Sequence, residues 1–241
     1  MFSFFTRKES LLSTALLDGM TDIHAHLLPG VDDGVVTMEE SIRTLTALAR
    51  LGVRRMYLTS HVMDTTDTNY KALYQERFEE LLSQKPADIE LRLAAEYMLD
   101  MGFPVWRQEG LLAMNGRHVL VETSYMAPPP DLITLLYDLV LDGYNPIIAH
   151  PERYMYMVDS DYRDLKNKGC KLQLNLLSLS GHYGKRAEDM ARILLKEGRY
   201  DHIGSDIHNW ERYQKGIESI HIDKNEKKEL TRLLENNHLV W

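Results

Sequence analysis

Residues 21–34 read Thr21-Asp22-Ile23-His24-Ala25-His26-Leu27-Leu28-Pro29-Gly30-Val31-Asp32-Asp33-Gly34, and the rest of the chain is organised around them. His24 and His26 are two residues apart, so on an extended strand their side chains point the same way. Two imidazoles on one side of a strand end make a bidentate start to a metal site. Zinc, manganese and iron accept imidazole, and added carboxylates shift the preference toward harder ions. Pro29-Gly30 and Asp32-Asp33-Gly34 then bend the chain and return a carboxylate toward the histidines. A lone His-x-His also suits solvated surface histidines, so the reading depends on what else converges there.

Downstream, strand and helix patterns alternate. Thr37 to Glu40 is a capping-box start, and Met38, Ile42, Leu45, Leu48 and Ala49 recur at helical spacing until Gly52. Val53 to Thr59 reads as a buried strand ending at Ser60-His61, and a helix follows over Tyr70 to Leu82. Ile89 to Ala95 is a strand ending at Glu96, a short helix is expected near Val105, and Val119 to Val121 is a strand ending at Glu122. Asp131 to Leu141 is a helix introduced by Pro128-Pro129-Pro130, and Tyr144 to Ala149 is a strand ending at His150. Then come a helix over Tyr162 to Lys168, a strand over Lys171 to Asn175 and a helix over Arg186 to Glu197. A short strand at His202 to Gly204 ends at Ser205-Asp206-Ile207-His208, and one or two helices finish the chain.

This alternation, roughly seven times, predicts a parallel α/β barrel or sheet. His24, His26, His61, Glu96, Glu122, His150, Asp206 and His208 all fall at or just beyond the C-terminal end of a predicted strand. In a barrel of parallel strands the active site sits at that end. A doubly wound open sheet is the alternative, but it gathers its site at one switch point and not at nearly every strand.

Composition bounds the class. The 241 residues are 44% hydrophobic and 27% charged, which fits one globular unit with a sizeable core. A net charge of −8, with no basic stripe, argues against nucleic acid as a partner. Residues 1–20 read as a short amphipathic arm and not as a signal peptide or membrane span, leaving 21–241 as a single domain. The single cysteine, Cys170, rules out an internal disulfide framework and fits a reducing, cytoplasmic location.

Five histidines, two glutamates and at least two aspartates converge, which suffices for two or three ions if carboxylates bridge. Clustered ions imply metal-assisted hydrolysis with a phosphoryl group held by the metals. Arg153, three residues after His150, offers a bidentate contact to a phosphate. Cys170 has Leu176 and not arginine six positions later, so a cysteine-nucleophile phosphatase loop is absent. So are a Gly-x-x-x-x-Gly-Lys loop, a Gly-x-Ser-x-Gly elbow and a His-Glu-x-x-His pair.

Asp22-x-His24-x-His26, Pro29-Gly30-x-Asp32-Asp33-Gly34, Thr59-Ser60-His61, Glu96, Glu122, His150-Pro151-Glu152-Arg153 and Ser205-Asp206-x-His208-Asn209 occur in that order. Together they resemble the polymerase and histidinol phosphatase (PHP) superfamily, and within it the bacterial tyrosine-protein phosphatases of capsule and exopolysaccharide loci. The resemblance runs from Asp22 nearly to the end of the chain. It implies a distorted seven-stranded (β/α) TIM-like barrel holding up to three divalent ions, usually manganese. It assigns His24, His26, Glu96 and Asp206 to a first ion and lets Glu96 bridge to a second, with Glu122 and His150. Asp33, His61 and His208 go to a third. Arg153, Glu96 and Asp206 are the residues expected to act in catalysis. Arg153 would hold the phosphate, with Arg212 a weaker candidate from the loop after Asn209. Separately from the resemblance, His182 follows a strand end, which makes it a candidate to line the pocket. The implied substrate is a phosphotyrosine protein, the tail of a bacterial tyrosine kinase that controls polysaccharide export. A small phosphate ester such as histidinol phosphate, or a non-catalytic metal-binding module, are the alternatives. One departure is Val62, where the family often has a second histidine. Asp32 either supports its turn or orients a ligand. His118, His202, His221 and His238 are read as structural.

Overall fold

The computed structural model describes residues 8–241, so residues 1–7 of the N-terminal arm lie outside the described residues. In chain order the strands are β1 (Glu9–Ser10), β2 (Thr21–Asp22), β3 (Arg55–Leu58), β4 (His61–Val62), β5 (Glu90–Leu93), β6 (Glu96–Met98), β7 (His118–Glu122), β8 (Asn145–Ala149), β9 (Lys171–Asn175), β10 (His202–Gly204) and β11 (His221–Ile222). The helices are α1 (Met38–Arg50), α2 (Tyr70–Leu82), α3 (Phe103–Gln108), α4 (Leu132–Leu141), α5 (Asp159–Asn167), α6 (Lys185–Lys196), α7 (Trp210–Ser219) and α8 (Lys224–Asn237).

Local chemistry accounts for the boundaries. Thr37 caps α1 by accepting from the Glu40 amide at 3.2 Å, while the Glu40 carboxylate reaches Val36 N at 3.3 Å. Gly52, at φ +105°, lets the chain leave the helix. α5 begins three residues before the expected Tyr162. There the Asp161 carboxylate accepts from Val158 N at 2.8 Å and satisfies an otherwise free amide of the first turn.

The fold is mixed α/β. One parallel sheet has six strands in the order β10-β9-β8-β7-β6-β4, and a second has three in the order β2-β3-β5. The ladders are therefore two sheets and not one continuous seven-stranded ring. Just beyond β2 and β3, Ala25 N donates to Thr59 Oγ1 at 3.0 Å while Thr59 N donates to Ala25 O at 2.8 Å, so a hydroxyl takes part where the β2–β3 ladder ends. Backbone bonds still cross the gaps: Glu96 N reaches Thr59 O at 3.1 Å, and His26 N reaches Ile207 O at 2.9 Å beside a parallel bridge between Ala25 and Ile207.

Strand residues alternate between two apolar clusters. Val119, Val121, Ile148, Leu172 and Leu174 pack outward against helix residues such as Leu136, Leu139, Leu194 and Leu233. Ile23, Tyr57, Ala94, Leu120, Ile147 and Ala149 form a separate inner cluster with Met114 and Val240. Several inner residues stand one or two positions before His24, Glu96, Glu122 or His150, so the polar site is built directly on an apolar floor. The far end is covered by the C-terminus, where Tyr57 Oη donates to Val240 O at 3.0 Å and Arg92 stacks on Trp241 at 4.3 Å. At the other end of the chain, β1 pairs antiparallel with β11, and Leu11, Leu17 and Met20 are buried in the core. Among the described residues no helix is long and apolar enough to cross a membrane.

Candidate metal centre

His24 and His26 leave the end of β2 fully buried, with their Nε2 atoms 3.1 Å apart. Glu96 Oε2 lies 3.0 Å from His24 Nε2 and 3.3 Å from His26 Nε2. Asp206 Oδ1 lies 3.3 and 3.2 Å from the same two nitrogens. The far side of each ring fixes its tautomer. His24 Nδ1 is 3.0 Å from Gln173 Oε1, and the Gln173 amide is oriented by its own NH2, which donates to Leu174 O at 2.6 Å. His26 Nδ1 is 2.9 Å from Asp32 Oδ2. An acceptor at Nδ1 keeps the proton there and leaves the lone pair on Nε2. Two lone pairs and two carboxylate oxygens thus face one centre, a donor set that repels itself unless positive charge sits between. The approach is close enough to require glycine behind it: a Cβ on Gly204 would stand 2.6 Å from His24 Cβ.

Two further groups share atoms with the first. His61 and Glu96 are register partners on β4 and β6, and His61 Nδ1 is 3.1 Å from both Glu96 Oε2 and Glu122 Oε1. Asp33 Oδ1 is 3.5 Å from His61 Nε2 and 3.4 Å from His208 Nε2, and the His208 ring stacks on His26 at 3.9 Å. The donor atoms of His24, His26, Glu96 and Asp206 lie within 4.8 Å of one another, as do those of His26, Asp33, His61 and His208, and those of His61, Glu96 and Glu122. His150 stands outside these groups, but its Nε2 is 3.3 Å from Glu96 Oε1. His61 Nδ1, Glu96 Oε1 and His150 Nδ1 are buried and, despite the close contacts of the first two, make no well-aligned hydrogen bond. Orphaned buried donors and acceptors are costly, and imidazole mixed with carboxylate is the donor set of zinc, manganese or iron. The residues present therefore fit divalent ions.

The electrostatics agree. Burial opposes charge on His26, yet Asp206, Asp32 and Glu96 outweigh it and hold the ring well above the ordinary histidine range. For His61, burial and the His26 charge oppose protonation, but Glu96 and Glu122 push it up to about 10. Burial of Glu96 would raise its pKa, but His24, His61 and His150 hold it well below the carboxylate range. Protons and divalent ions compete for the same atoms, so ion binding at this site releases protons.

Beside these groups lies a cleft of about 200 Å³ lined by Asp33, His61, His150, Arg153, His182 and Arg212, among others. His182 and Arg212 are exposed at its rim. Arg153 Nη1 donates to Asp206 Oδ2 at 2.7 Å, and Asn175 Nδ2 donates to the same oxygen at 2.7 Å. Asp206 thus presents Oδ1 to the histidines and Oδ2 to the cleft. His150 and Asp206 sit at φ +35° and +52°, left-handed conformations that cost energy outside glycine. Two residues after the first, the buried Glu152 carboxyl accepts from Asn175 N at 3.0 Å, Ser178 Oγ at 2.6 Å and Tyr200 Oη at 2.9 Å.

Asp32 bonds both to its own turn and to the candidate site. Oδ1 takes the Gly34 amide at 3.0 Å, while Oδ2 takes His26 Nδ1 and, at 3.0 Å, the His61 amide. Gln173, Asn175, Tyr125 and Tyr183 are site residues that the sequence reading passes over. The first two leave a signal, since Gln173 and Asn175 are polar residues two apart within the apolar strand Leu-Gln-Leu-Asn. The tyrosines lie in loops, where an aromatic residue marks nothing by itself.

His238 Nδ1 bonds Thr21 Oγ1 at 2.8 Å and His202 Nδ1 lies 3.3 Å from Asn237 Oδ1. Cys170 is buried at 2% exposure, and burial pushes its thiol up to about 11. Cys170→Ala is therefore expected to leave turnover of an aryl phosphate within about two-fold of wild type, since a protonated buried thiol is no nucleophile. Loss of turnover in a folded, metal-replete variant would overturn this.

A family model described as "Capsular polysaccharide synthesis, CpsB/CapC" matches residues 20–238. Among curated relatives, the tyrosine-protein phosphatase YwqE of Bacillus subtilis (strain 168) is 30% identical over 203 residues, covering 79% of this chain and 78% of its own length. The tyrosine-protein phosphatase CpsB of Streptococcus pneumoniae is 30% identical over 202 residues, covering 79% and 83%. A solved structure, described as YwqE from Bacillus subtilis and CpsB from Streptococcus pneumoniae, unique metal-dependent tyrosine phosphatases, superposes with a TM-score of 0.76 at 26% identity, covering 92% of this chain and 94% of that one.

Proposed function

The chain belongs to the CpsB/CapC family of capsular polysaccharide synthesis, and on that premise we propose that it is a metal-dependent protein-tyrosine phosphatase, a phosphoric monoester hydrolase. The observation that carries the reading is the set of buried, unpartnered imidazole and carboxylate donors that opens into a cleft beside Arg153. We read the paired sheets as a distorted seven-stranded (β/α) barrel, since backbone bonds cross both gaps between them. Residues 21–241 form the catalytic domain in this reading.

His24, His26, Glu96 and Asp206 would hold one ion; Glu96, Glu122 and His150 a second; Asp33, His61 and His208 a third, with manganese the expected metal. His61 Nδ1 is 3.1 Å from Glu96 and Glu122 while its Nε2 is 3.5 Å from Asp33, so the second and third sites share a boundary at its ring. Divalent ions bound there supply Lewis acidity to a phosphoryl oxygen and acidify water. The protein's own part is positional. Glu96 and Asp206 hold the donors together, Arg153 orients the phosphoryl group through its fork, and Arg212 and His182 add positive or hydrogen-bonding character at the rim. A tyrosine leaving group, whose pKa is about 10, departs with less acid assistance than an alkoxide. The natural substrate would be a cytoplasmic phosphotyrosine protein, the tail of a tyrosine kinase of the polysaccharide export machinery.

A substrate panel tests this. With manganese supplied, the specificity constant on phosphotyrosine peptides is expected to exceed that on phosphoserine peptides and on histidinol phosphate by tenfold or more. Faster hydrolysis of histidinol phosphate than of any phosphotyrosine peptide would leave only the metal-hydrolase reading. No hydrolysis of any ester by the metal-loaded protein would favour a non-catalytic module.

A further inference from the structure

Arg153 stands between two tyrosines that reach it from separate loops. Its guanidinium carbon is 4.5 Å from the Tyr125 ring centroid and 4.1 Å from that of Tyr183, both within cation–π range. The edge of the fork is engaged as well. Nη1 donates to Asp206 Oδ2 at 2.7 Å and Nη2 to Tyr125 Oη at 2.5 Å. Tyr183 is held in turn, because its Oη accepts from Asn175 Nδ2 at 3.1 Å, and that amide also donates to Asp206 Oδ2 at 2.7 Å. Tyr125 is backed by Tyr154, stacked at 6.2 Å, and its carbonyl takes the Met155 amide at 2.8 Å. The long arginine side chain is thus fixed in one pose by Asp206 of the metal donor set and by two tyrosines outside it.

We infer that Tyr125 and Tyr183 are positioning residues that clamp Arg153 as the phosphate fork, and that the Tyr125 hydroxyl occupies Nη2 in the place of a phosphoryl oxygen. The inference rests on the reading of Arg153 as the phosphate-binding group. Two rings in cation–π contact, with the bonds to Asp206 and Tyr125 Oη, remove rotamer freedom that a phosphate would otherwise have to quench. A neutral hydroxyl is the weaker acceptor, so a phosphoryl oxygen, being anionic, displaces it from Nη2. The ring and the hydroxyl of Tyr125 therefore act in opposite directions: the ring aids phosphate binding and the hydroxyl competes with it. Tyr183 contributes through its ring, its hydroxyl being turned to Asn175.

The experiment titrates inorganic phosphate into the full-length, manganese-loaded protein by calorimetry, with metal content measured on each variant and KM and kcat recorded separately on an aryl phosphate. Tyr183→Leu and Tyr125→Leu are expected to weaken phosphate binding and raise KM by about three- to tenfold, with kcat moved less. Tyr183→Phe, which keeps the ring and loses only the bond to Asn175, should lie closer to wild type than Tyr183→Leu. Tyr125→Phe should tighten phosphate binding by about threefold, the opposite sign to Tyr125→Leu. In an Arg153→Ala background the leucine changes should have no further effect, because a positioning residue acts only through the group it positions. Leucine variants that bind phosphate as wild type does, or whose losses persist without Arg153, would overturn the clamp. A Tyr125→Phe protein with unaltered phosphate affinity would overturn the placeholder role of the hydroxyl. Phosphate affinity is read without any phosphotyrosine substrate, so failure of the tyrosine-phosphatase reading shows in the substrate panel and not here.

Discussion

Glu96→Ala is expected to remove bound divalent ions and phosphatase turnover in one step. Glu96 is fully buried at the centre of the donor set, with Oε2 at 3.0 Å from His24, 3.3 Å from His26 and 3.1 Å from His61, and Oε1 at 3.3 Å from His150. No other carboxylate of the site approaches four imidazoles. Without it the histidines face one another with less negative charge between them, and under the proposed ion assignment a bridging carboxylate would be lost from two sites at once. Metal ions supply several kcal/mol of transition-state stabilisation, so the specificity constant should fall by on the order of a thousandfold or more. Glu96→Gln keeps the shape and removes the charge, which separates metal loss from misfolding. A strong chelator should have the same effect on wild type, reversed by added manganese, whereas neither variant should recover. Metal analysis and the specificity constant on an aryl phosphate are the measurements. A Glu96→Ala protein that stays active after metal-free purification would remove the basis of the site.

Arg153→Ala is expected to lower the specificity constant on a phosphotyrosine peptide by about one to two powers of ten while the ions stay bound. The magnitude follows from a charge-assisted hydrogen bond, roughly 1.5–3 kcal/mol. Ion retention follows from geometry, because Asn175 still donates to Asp206 Oδ2 at 2.7 Å after the guanidinium is gone. Arg153→Lys should recover only part of the loss, since an ammonium is a point charge without the planar fork. Unchanged kinetics in Arg153→Ala, or loss of metal along with activity, would show that this arginine supports the metal site and does not hold the phosphate.

The two predictions differ in how far the sequence leads to them. Glu96 is legible because it ends an apolar run, as do Glu122 and His150, and a charged group at the end of a buried strand is costly without a purpose. The helices are legible for the same local reason, from the Thr37 cap to the Gly52 stop. Arg153 is legible only as a neighbour of His150, and its role depends on where the loop places it.

The sequence by itself determined which side chains stand at the strand ends, because strand period and turn chemistry are local and act over a few residues. Only the tertiary structure decided how those side chains share one centre. The end of the β2–β3 ladder depends on Thr59 Oγ1 meeting Ala25 N, and the His24 tautomer depends on Gln173, 149 residues away. Overlap of the three donor groups at His26, His61 and Glu96 follows from parallel register between strands, such as His61 opposite Glu96. The Tyr125–Arg153–Tyr183 stack joins loops that follow different strands. Such contacts are set by packing over long sequence separations, and no local pattern encodes a distance.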